Sequence, residues 1–330
     1  MRYDISVIGA GSWGSVLANL LGEKGLRVLL WGFERNVVDG IRLYRVNHLY
    51  MPGLRISERV IPTDDIIEAA GGARILLLVV PSQFVRGILT RMLPHMASDA
   101  IIVSAIKGIE KGTLQTASNI IMQCAQREIA VLSGPSFAAE VAAKKPTAIT
   151  LGVTDITRGH HLQKVFNTDY FRVYTHDDIP GIELGGALKN VIAIAAGICD
   201  GLELGLNARA ALITRGLAEI TRLGVKLGAD ARTFSGLSGM GDLVLTCTGR
   251  LSRNYTVGIE LARGQTTSDI VSEMNSVAEG IETSASAFEL ANAASVDMPI
   301  VTQVYRVIHE GKNPAMAVNE LMSRQLTKEF

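Results

Sequence analysis

The chain has 330 residues, of which 48% are hydrophobic and 19% are charged, and its formal net charge is zero. This length fits about two domains of ~100–200 residues each, and the composition is that of a globular protein with sizeable cores. The balanced charge argues against general nucleic-acid binding, which needs a basic surface, but it leaves room for one local anion pocket.

The three cysteines, Cys124, Cys199 and Cys247, cannot form a disulfide framework, and their spacing matches no metal motif. Glycines interrupt the first apolar run, which does not fit a secretory signal. The longest apolar stretches, such as Ile75–Val80 and Val191–Cys199, fall short of the ~20 residues that cross a bilayer. We therefore expect a cytoplasmic protein with no metal site and no membrane-spanning segment.

The chain opens with an apolar strand, Ile5–Ile8, followed by Gly9, Gly11 and Gly14 and by a predicted helix over Ser12–Glu23. In a strand–turn–helix setting the first glycine makes the tight turn, the second lets the backbone approach phosphates, and the third lets the helix pack on the strand. The N–H groups at the helix start then face negative charge. The motif predicts a site for the pyrophosphate of a dinucleotide, and a flexible loop is the alternative.

Strands alternate with helices through the first half of the chain. The further predicted elements are the strands Arg27–Trp31, Ile75–Val80, Ala100–Ser104, Ile129–Leu132, Thr147–Val153 and Phe171–Tyr174, with a helix near Leu114–Arg127. Their nearly continuous apolar runs are typical of strands that are buried on both faces. We therefore predict an α/β fold with a doubly wound, mainly parallel sheet of the Rossmann type, which binds ligands at the carboxyl ends of its strands.

Long helical segments replace the strands beyond about residue 180. The predicted helices are Ile182–Cys199, Ala208–Leu223, Tyr255–Arg263, Glu279–Ala294 and Pro299–Glu310. Asn207 is a plausible N-cap, and Pro299 suits a first helical turn. We predict a dinucleotide-binding domain over residues 1–180 and an all-α domain over residues 181–330.

The second strand indicates which nicotinamide cofactor is used. In an NAD-specific fold an acidic residue about 20 residues beyond the glycines holds the ribose hydroxyls. Here the strand ends in Gly32, while Glu34 can reach the ribose and Arg35 can pair with a 2′-phosphate. Both can also be solvated loop charges. We expect NADP or NAD to bind, with a slight preference for NADP.

Two loops at carboxyl ends of strands carry candidate substrate-binding groups. Lys107 follows one strand beside a glycine, where it can meet an anion or a carbonyl oxygen. Gly134 and Ser136 follow the next strand, and Ser136 is a natural N-cap for a helix that reaches about Ala143. An exposed loop lysine and a purely structural turn are the alternatives.

The first helix of the second domain carries one lysine in an apolar segment. Its core-facing stripe is expected to be Leu184, Leu188, Val191 and Ala195. Lys189 lies on another face beside Gly185, Ala193 and Ala196, which leave room for a ligand or another backbone. Burial disfavours the charged form of a lysine and suits it to proton transfer near neutral pH. A lysine whose charged end reaches solvent at the helix edge is the alternative.

Two later stretches add polar groups. The glycine-rich Ser235–Leu243 delivers one carboxylate, Asp242, which can also be a helix N-cap. Ser252, Arg253 and Asn254 place a hydroxyl, a guanidinium and an amide just before a predicted helix, a set that suits a phosphate. A solvated loop is the alternative.

Several sequence blocks occur together in a fixed order. They are Gly9–Gly14, Ala105–Gly108, Gly134–Ala138, Glu183–Val191, Asn207–Gly216, Gly241–Cys247, Ser252–Asn254 and Val277–Gly280. With these blocks the chain resembles bacterial NAD(P)-dependent glycerol-3-phosphate dehydrogenases over nearly its whole length. It departs from them at Ser238, at Met240 and in the loop 32–35.

The resemblance implies an oxidoreductase that interconverts dihydroxyacetone phosphate and sn-glycerol 3-phosphate, supplies phospholipid synthesis and forms a homodimer. It implies proton transfer by Lys189, with Lys107 and Asp242 assisting. The implied substrate contacts are Lys107, Gly134, Ser136, Lys189, Asp242, Ser252, Arg253 and Asn254. The implied dinucleotide contacts are Ser12, Trp13, Lys107, Ala138, Arg253, Val277 and Glu279.

Two other functions are compatible with parts of the pattern. A 3-hydroxyacid dehydrogenase of related two-domain architecture would bind a carboxylate where this chain offers phosphate donors. A non-catalytic dinucleotide sensor would need the glycine turn but not Lys189 with Asp242.

Overall fold

The computed structural model describes residues 2–127, 129–274, 278–326 and 328–329. The chain divides into two compact units. The first unit comprises Met1–Glu110 and Gln115–Glu183, and the second comprises Lys111–Leu114 and Leu184–Phe330.

The strands all lie in the first unit of the described chain. They are β1 (Ile5–Ile8), β2 (Val28–Trp31), β3 (Val46–Asn47), β4 (Met51–Arg55), β5 (Val60–Thr63), β6 (Ile75–Leu78), β7 (Ile101–Ser104), β8 (Ile129–Ser133), β9 (Thr147–Gly152) and β10 (Phe171–His176). Eight of them form one sheet in the order β10-β9-β8-β7-β6-β1-β2-β5, and β3 pairs with β4. Within the sheet only β8 and β9 run antiparallel. The doubly wound, mainly parallel sheet is therefore confirmed, and its strand order reverses beside β1, where such sheets bind ligands.

The predicted strands agree with the observed ones within two residues, but β3, β4 and β5 were not predicted. Of these three, β5 is the one that lies in the eight-stranded sheet. Its sequence contains Pro62, which removes a backbone donor and usually argues against a strand. In the sheet β5 pairs with β2 alone and forms the edge, where a proline is tolerated.

Helices cover both faces of the sheet. Those of the first unit are α1 (Ser12–Glu23), α2 (Arg35–Tyr44), α3 (Ile66–Gly72), α4 (Val85–Met92), α5 (Ala117–Ala125), α6 (Ala138–Ala142) and α7 (Ile156–Phe166). Along β1, Ile5 and Val7 enter one buried core while Ile8 enters the other. Helix α5 is shorter than predicted because Leu114 and Gln126 adopt left-handed backbone angles, with φ of 59° and 49°.

The described residues of the second unit form helices joined by loops and no strand, which confirms the all-α prediction. Its helices are α8 (Ile179–Gly201), α9 (Gly205–Lys226), α10 (Asp242–Thr248), α11 (Arg253–Ala262), α12 (Thr267–Glu273), α13 (Glu279–Ala293), α14 (Pro299–His309) and α15 (Pro314–Met322). Helix α8 begins within the first unit. Pro299 opens α14 as expected. The N-cap assignment of Asn207 is wrong, since α9 begins at Gly205, preceded by Leu204.

Helix α8 is buried on all sides rather than along one stripe. The predicted stripe residues Leu184, Leu188 and Val191 are buried, but so is Lys189 on another face of the helix. The fourth predicted stripe residue, Ala195, is only half-buried. The helix has a mean hydropathy of 1.5 and is long and apolar enough to cross a membrane, unlike the stretches considered above. Because 94% of its most apolar window is buried within the protein, it has the surroundings of a core helix.

A buried carboxyl group ties α9 to the start of α14. The amides of Ile300 and Val301 donate to Glu219 at 2.8 and 3.2 Å, and Glu219 is only 2% exposed. Burial raises the pKa of Glu219 from its ordinary 4.5 to about 7, although these two hydrogen bonds oppose the rise.

This raised pKa predicts a pH-dependent stability. Between pH 4.5 and 7 the folded chain keeps the Glu219 proton while the unfolded chain loses it, so the free energy of unfolding falls as pH rises. Relative to Glu219→Gln, the wild type should lose on the order of 3 kcal/mol across this window. Urea unfolding of both proteins at a series of pH values measures the difference. A difference that does not change with pH would contradict the raised pKa.

Candidate active site

The glycine turn after β1 has the geometry that its spacing predicts. Gly9 has a φ of +119°, and a Cβ there would lie 2.4 Å from the Val79 carbonyl oxygen. A Cβ on Gly14 would lie 1.8 Å from the Gly9 carbonyl oxygen, whereas one on Gly11 would meet nothing within 4 Å. The first and third glycines are therefore required by close packing, and the second leaves an open approach to the backbone. That arrangement fits the pyrophosphate of a dinucleotide at the start of α1.

Two polar residues that we did not predict hold this turn. Asn47 is fully buried, and its amide donates to the Ala10 carbonyl oxygen at 2.8 Å and to the Ser15 hydroxyl at 2.9 Å. Tyr50 accepts from the Ser12 hydroxyl at 3.0 Å through its carbonyl oxygen. Its own hydroxyl donates to Glu34 at 2.8 Å. The chain near β3 thus links the glycine turn to the loop after β2.

The loop after β2 contains the two charges considered for the adenosine end of the cofactor. Glu34 precedes α2 and is oriented by Tyr50, while Arg35 opens the helix with a side chain that is 84% exposed. The Arg35 guanidinium lies 3.9 Å from Asp39. Arg35 is therefore accessible to a ligand, and its long contact with Asp39 would compete only weakly with ligand binding.

Lys107, Gly134 and Ser136 are brought together within the first unit. The carbonyl oxygen of Gly134 accepts from the Lys107 ammonium at 2.9 Å and from the Ser136 hydroxyl at 3.0 Å. The N-cap assignment of Ser136 is wrong, because the backbone of Phe137 stays extended and α6 begins at Ala138. Ser136 therefore orders the loop instead of capping the helix.

Lys189 and Asp242 form a buried ion pair within the second unit. Lys189 is 6% exposed and Asp242 is 1% exposed, and their Nζ and Oδ1 atoms lie 2.6 Å apart. The Lys189 ammonium also donates to the Thr246 hydroxyl at 2.7 Å. The lysine does not extend into solvent. A carboxylate this close favours the charged ammonium and so opposes the effect of burial.

Asp242 does not cap its helix from outside. It is the first residue of α10, and the preceding turn, Leu237–Gly241, is π-helical. The Thr246 hydroxyl also donates to the Asp242 carbonyl oxygen at 2.5 Å, so one side chain contacts both members of the ion pair. Burial raises the pKa of the neighbouring Cys247 thiol to about 12, which keeps that group neutral.

The predicted phosphate cluster forms the start of α11, two residues earlier than expected. The Ser252 hydroxyl caps the helix by accepting from the Tyr255 amide at 3.2 Å. The Asn254 side chain donates to Asn190 at 2.9 Å and accepts from the Gly280 amide at 3.0 Å. Ser252 and Asn254 are buried, whereas Arg253 is exposed. Arg253 is thus the most accessible of the three, and its two sequence neighbours are hydrogen-bonded within the protein.

The remaining predicted contacts are distributed over both units. Trp13 is half-buried in α1, with its ring 6.3 Å from that of Phe171, and Ala138 opens α6. Glu279 is half-buried at the start of α13. Val277 lies outside the described residues. In the described part of the chain no group of three or more His, Cys, Asp or Glu side chains could hold a metal ion.

Comparison with known proteins decides the family. Residues 4–158 match the model for the N-terminus of NAD-dependent glycerol-3-phosphate dehydrogenase, and residues 178–319 match the model for its C-terminus. The chain belongs to the NAD-dependent glycerol-3-phosphate dehydrogenase family.

Named members of the glycerol-3-phosphate dehydrogenase family align with this chain over nearly their whole length. The glycerol-3-phosphate dehydrogenase [NAD(P)+] of Citrifermentans bemidjiense is 53% identical, with 100% of this chain and 99% of that protein aligned. The protein of the same name from Geobacter sulfurreducens is 52% identical at the same coverage. The crystal structure of glycerol-3-phosphate dehydrogenase from Coxiella burnetii superposes with a TM-score of 0.95 at 39% identity, covering 98% of this chain and 99% of that one.

More distant structures share the fold alone. A ketopantoate reductase from Ralstonia eutropha superposes with a TM-score of 0.61 at 14% identity, covering 97% of this chain and 99% of that one.

Proposed function

We propose that this chain interconverts dihydroxyacetone phosphate and sn-glycerol 3-phosphate, with residues 1–180 binding NADP or NAD and residues 181–330 acting on the substrate. When bound, the nicotinamide dinucleotide supplies or accepts the hydride. The observation that carries the proposal is the buried ion pair of Lys189 and Asp242 in a chain of the glycerol-3-phosphate dehydrogenase family.

Lys189 is the proton-transfer residue in this proposal. During reduction of the ketone its ammonium donates a proton to the carbonyl oxygen, where negative charge develops, and during oxidation the neutral amine accepts that proton. Asp242 and Thr246 hold the amine in position by hydrogen bonds of 2.6 and 2.7 Å. Because the pair is almost fully buried, its charges act in a medium that screens them weakly.

The other predicted contacts are assigned to the substrate and the dinucleotide. Arg253 offers a two-pronged donor to the substrate phosphate, and Ser252 and Asn254 are the contacts assigned beside it. Lys107, Gly134 and Ser136 form the second set of substrate contacts. The glycine turn, Ser12 and Trp13 hold the dinucleotide, with contributions from Lys107, Ala138, Arg253, Val277 and Glu279.

One assay separates this function from the two alternatives. Adding dihydroxyacetone phosphate to the protein and NADPH should cause loss of NADPH absorbance. A 3-hydroxyacid dehydrogenase would instead respond to a 3-oxo acid, and a sensor would bind NADPH without oxidising it. Family membership along the whole chain argues against both alternatives.

Cofactor preference is tested at Arg35. In this proposal the exposed Arg35 guanidinium pairs with the 2′-phosphate of NADP, which NAD lacks. Arg35→Ala should lower kcat/KM with NADPH by up to about fivefold, the range of an exposed ion pair, and leave kcat/KM with NADH unchanged. Arg42→Ala, an exposed arginine of the same helix, is the matched control. A wild type that strongly discriminates for NADH would contradict the assignment.

Three further properties stay predictions. They are a homodimeric state, a cytoplasmic location and a role in supplying phospholipid synthesis. Light scattering coupled to size-exclusion chromatography tests the first of them.

A further inference from the structure

Helix α8 and the segment that bears Asp242 run side by side within the second unit. One contact joins the side chains of Lys189 and Asp242 at 2.6 Å. The other lies one helical turn earlier, where a Cβ on Gly185 would sit 2.6 Å from the carbonyl oxygen of Ser238 and 3.3 Å from its carbonyl carbon. The missing side chain at Gly185 thus allows backbone to lie directly against α8.

The segment is also held from its other side. The turn Leu237–Gly241 is π-helical, with the Gly241 amide donating to the Gly236 carbonyl oxygen at 3.1 Å. A Cβ on Gly239 would lie 2.2 Å from the carbonyl oxygen of Phe234. The Phe234 ring is itself buried against α9, where a Cβ on Gly224 would lie 2.1 Å from it. The π-helical turn is therefore closely packed against Phe234.

We infer that Gly185 is a positioning residue, because its lack of a side chain sets the approach of the Ser238 backbone and hence the placement of Asp242 on Lys189. A methyl group at this position would meet a backbone carbonyl, which cannot rotate away as a side chain can. The turn, also packed against Phe234, would have to shift relative to α8 and carry the adjoining Asp242 with it. Glycine inside a helix costs about 1 kcal/mol relative to alanine, so a packing reason for it is expected.

The inference rests on the proposed function, since it concerns the residue that transfers the proton. Gly185→Ala should slow hydride transfer in a single turnover by about tenfold, because sub-ångström displacement of catalytic groups lowers rates steeply. The rate is expressed per NADPH-binding site, which is counted by titration, so a partly unfolded preparation still reports the rate of its folded molecules. The dissociation constant for NADPH should stay unchanged.

Gly201→Ala is the matched control. It places the same methyl group on the same helix in an equally tight contact, 2.6 Å from the Cβ of Ala262. It lies about 18 Å along the helix axis from Lys189. Its single-turnover rate per site should equal that of the wild type.

Three results would overturn the inference. The first is a wild-type rate per site in Gly185→Ala. The second is an equal slowing of the reaction in Gly201→Ala, because general packing of the helix would then explain the loss. A wild type that binds NADPH but does not oxidise it with dihydroxyacetone phosphate would overturn the proposed function and the inference with it. The first two results leave the proposed function intact.

Discussion

Replacing Lys189 with alanine should lower the turnover number for dihydroxyacetone phosphate by on the order of 10²–10⁴, the usual contribution of general acid–base catalysis. The variant has no group that can donate a proton at the position of the Lys189 amine, which Asp242 and Thr246 otherwise hold. NADPH binding should persist, because the glycine turn belongs to the first unit. Steady-state NADPH oxidation and a binding titration measure the two quantities. Near-normal turnover would reject the assignment of Lys189.

Loss of turnover must be separated from loss of folding. Lys189→Ala leaves Asp242 as a buried carboxylate without its cation, which typically costs about 3–5 kcal/mol of stability. Lys189→Met combined with Asp242→Asn removes both charges and should recover much of that stability while remaining inactive. Lys226→Ala, on the exposed end of α9, should behave as the wild type in both measurements. Recovered turnover in the double variant would contradict proton transfer by Lys189.

Replacing Arg253 with alanine should raise KM for dihydroxyacetone phosphate by on the order of 10–10²-fold, equivalent to hydrogen bonds to a charged group worth ~1.5–3 kcal/mol. Arg253 is the exposed member of its cluster, whereas Ser252 and Asn254 are bonded within the protein. Arg253→Lys keeps the charge without the two-pronged geometry, so its KM for dihydroxyacetone phosphate should lie between those of the wild type and Arg253→Ala.

A substrate without phosphate makes this prediction specific. Dihydroxyacetone has the same ketone, so at saturating NADPH its kcat/KM should be unaffected by Arg253→Ala if the guanidinium binds the phosphate. Arg250→Ala, a nearby exposed arginine, serves as the control for general charge loss. An equal loss with dihydroxyacetone and its phosphate would show that Arg253 acts elsewhere.

Local patterns predicted the parts of the fold that depend on neighbouring residues. The strand β1, the glycine turn and α1 have the expected bounds, because one contiguous segment contains all of their determinants. The placement of Lys189 among small residues indicated a buried, unusual lysine. Its partner Asp242 was also a candidate, but the 2.6 Å contact depends on packing between residues 53 apart in sequence.

What the sequence could not predict depends on backbone angles or on distant partners. Ser136 and Asn207 are good N-cap residues, yet their helices begin elsewhere because Phe137 stays extended and Glu203 turns left-handed, with φ of 56°. Asn47 and Tyr50 carry no local pattern, since their function lies in contacts with the glycine turn and the loop after β2.

The packing around Gly32 has a consequence for cofactor engineering. A Cβ at this position would lie 2.9 Å from the Val38 side chain and 3.1 Å from the Cβ of Ala10, which adjoins the glycine turn. The usual design route to strict NAD use, an aspartate at the end of the second strand, would therefore disturb the turn that both cofactors need. Redesign for one cofactor is better directed at Glu34 and Arg35, where α2 begins and side chains have space.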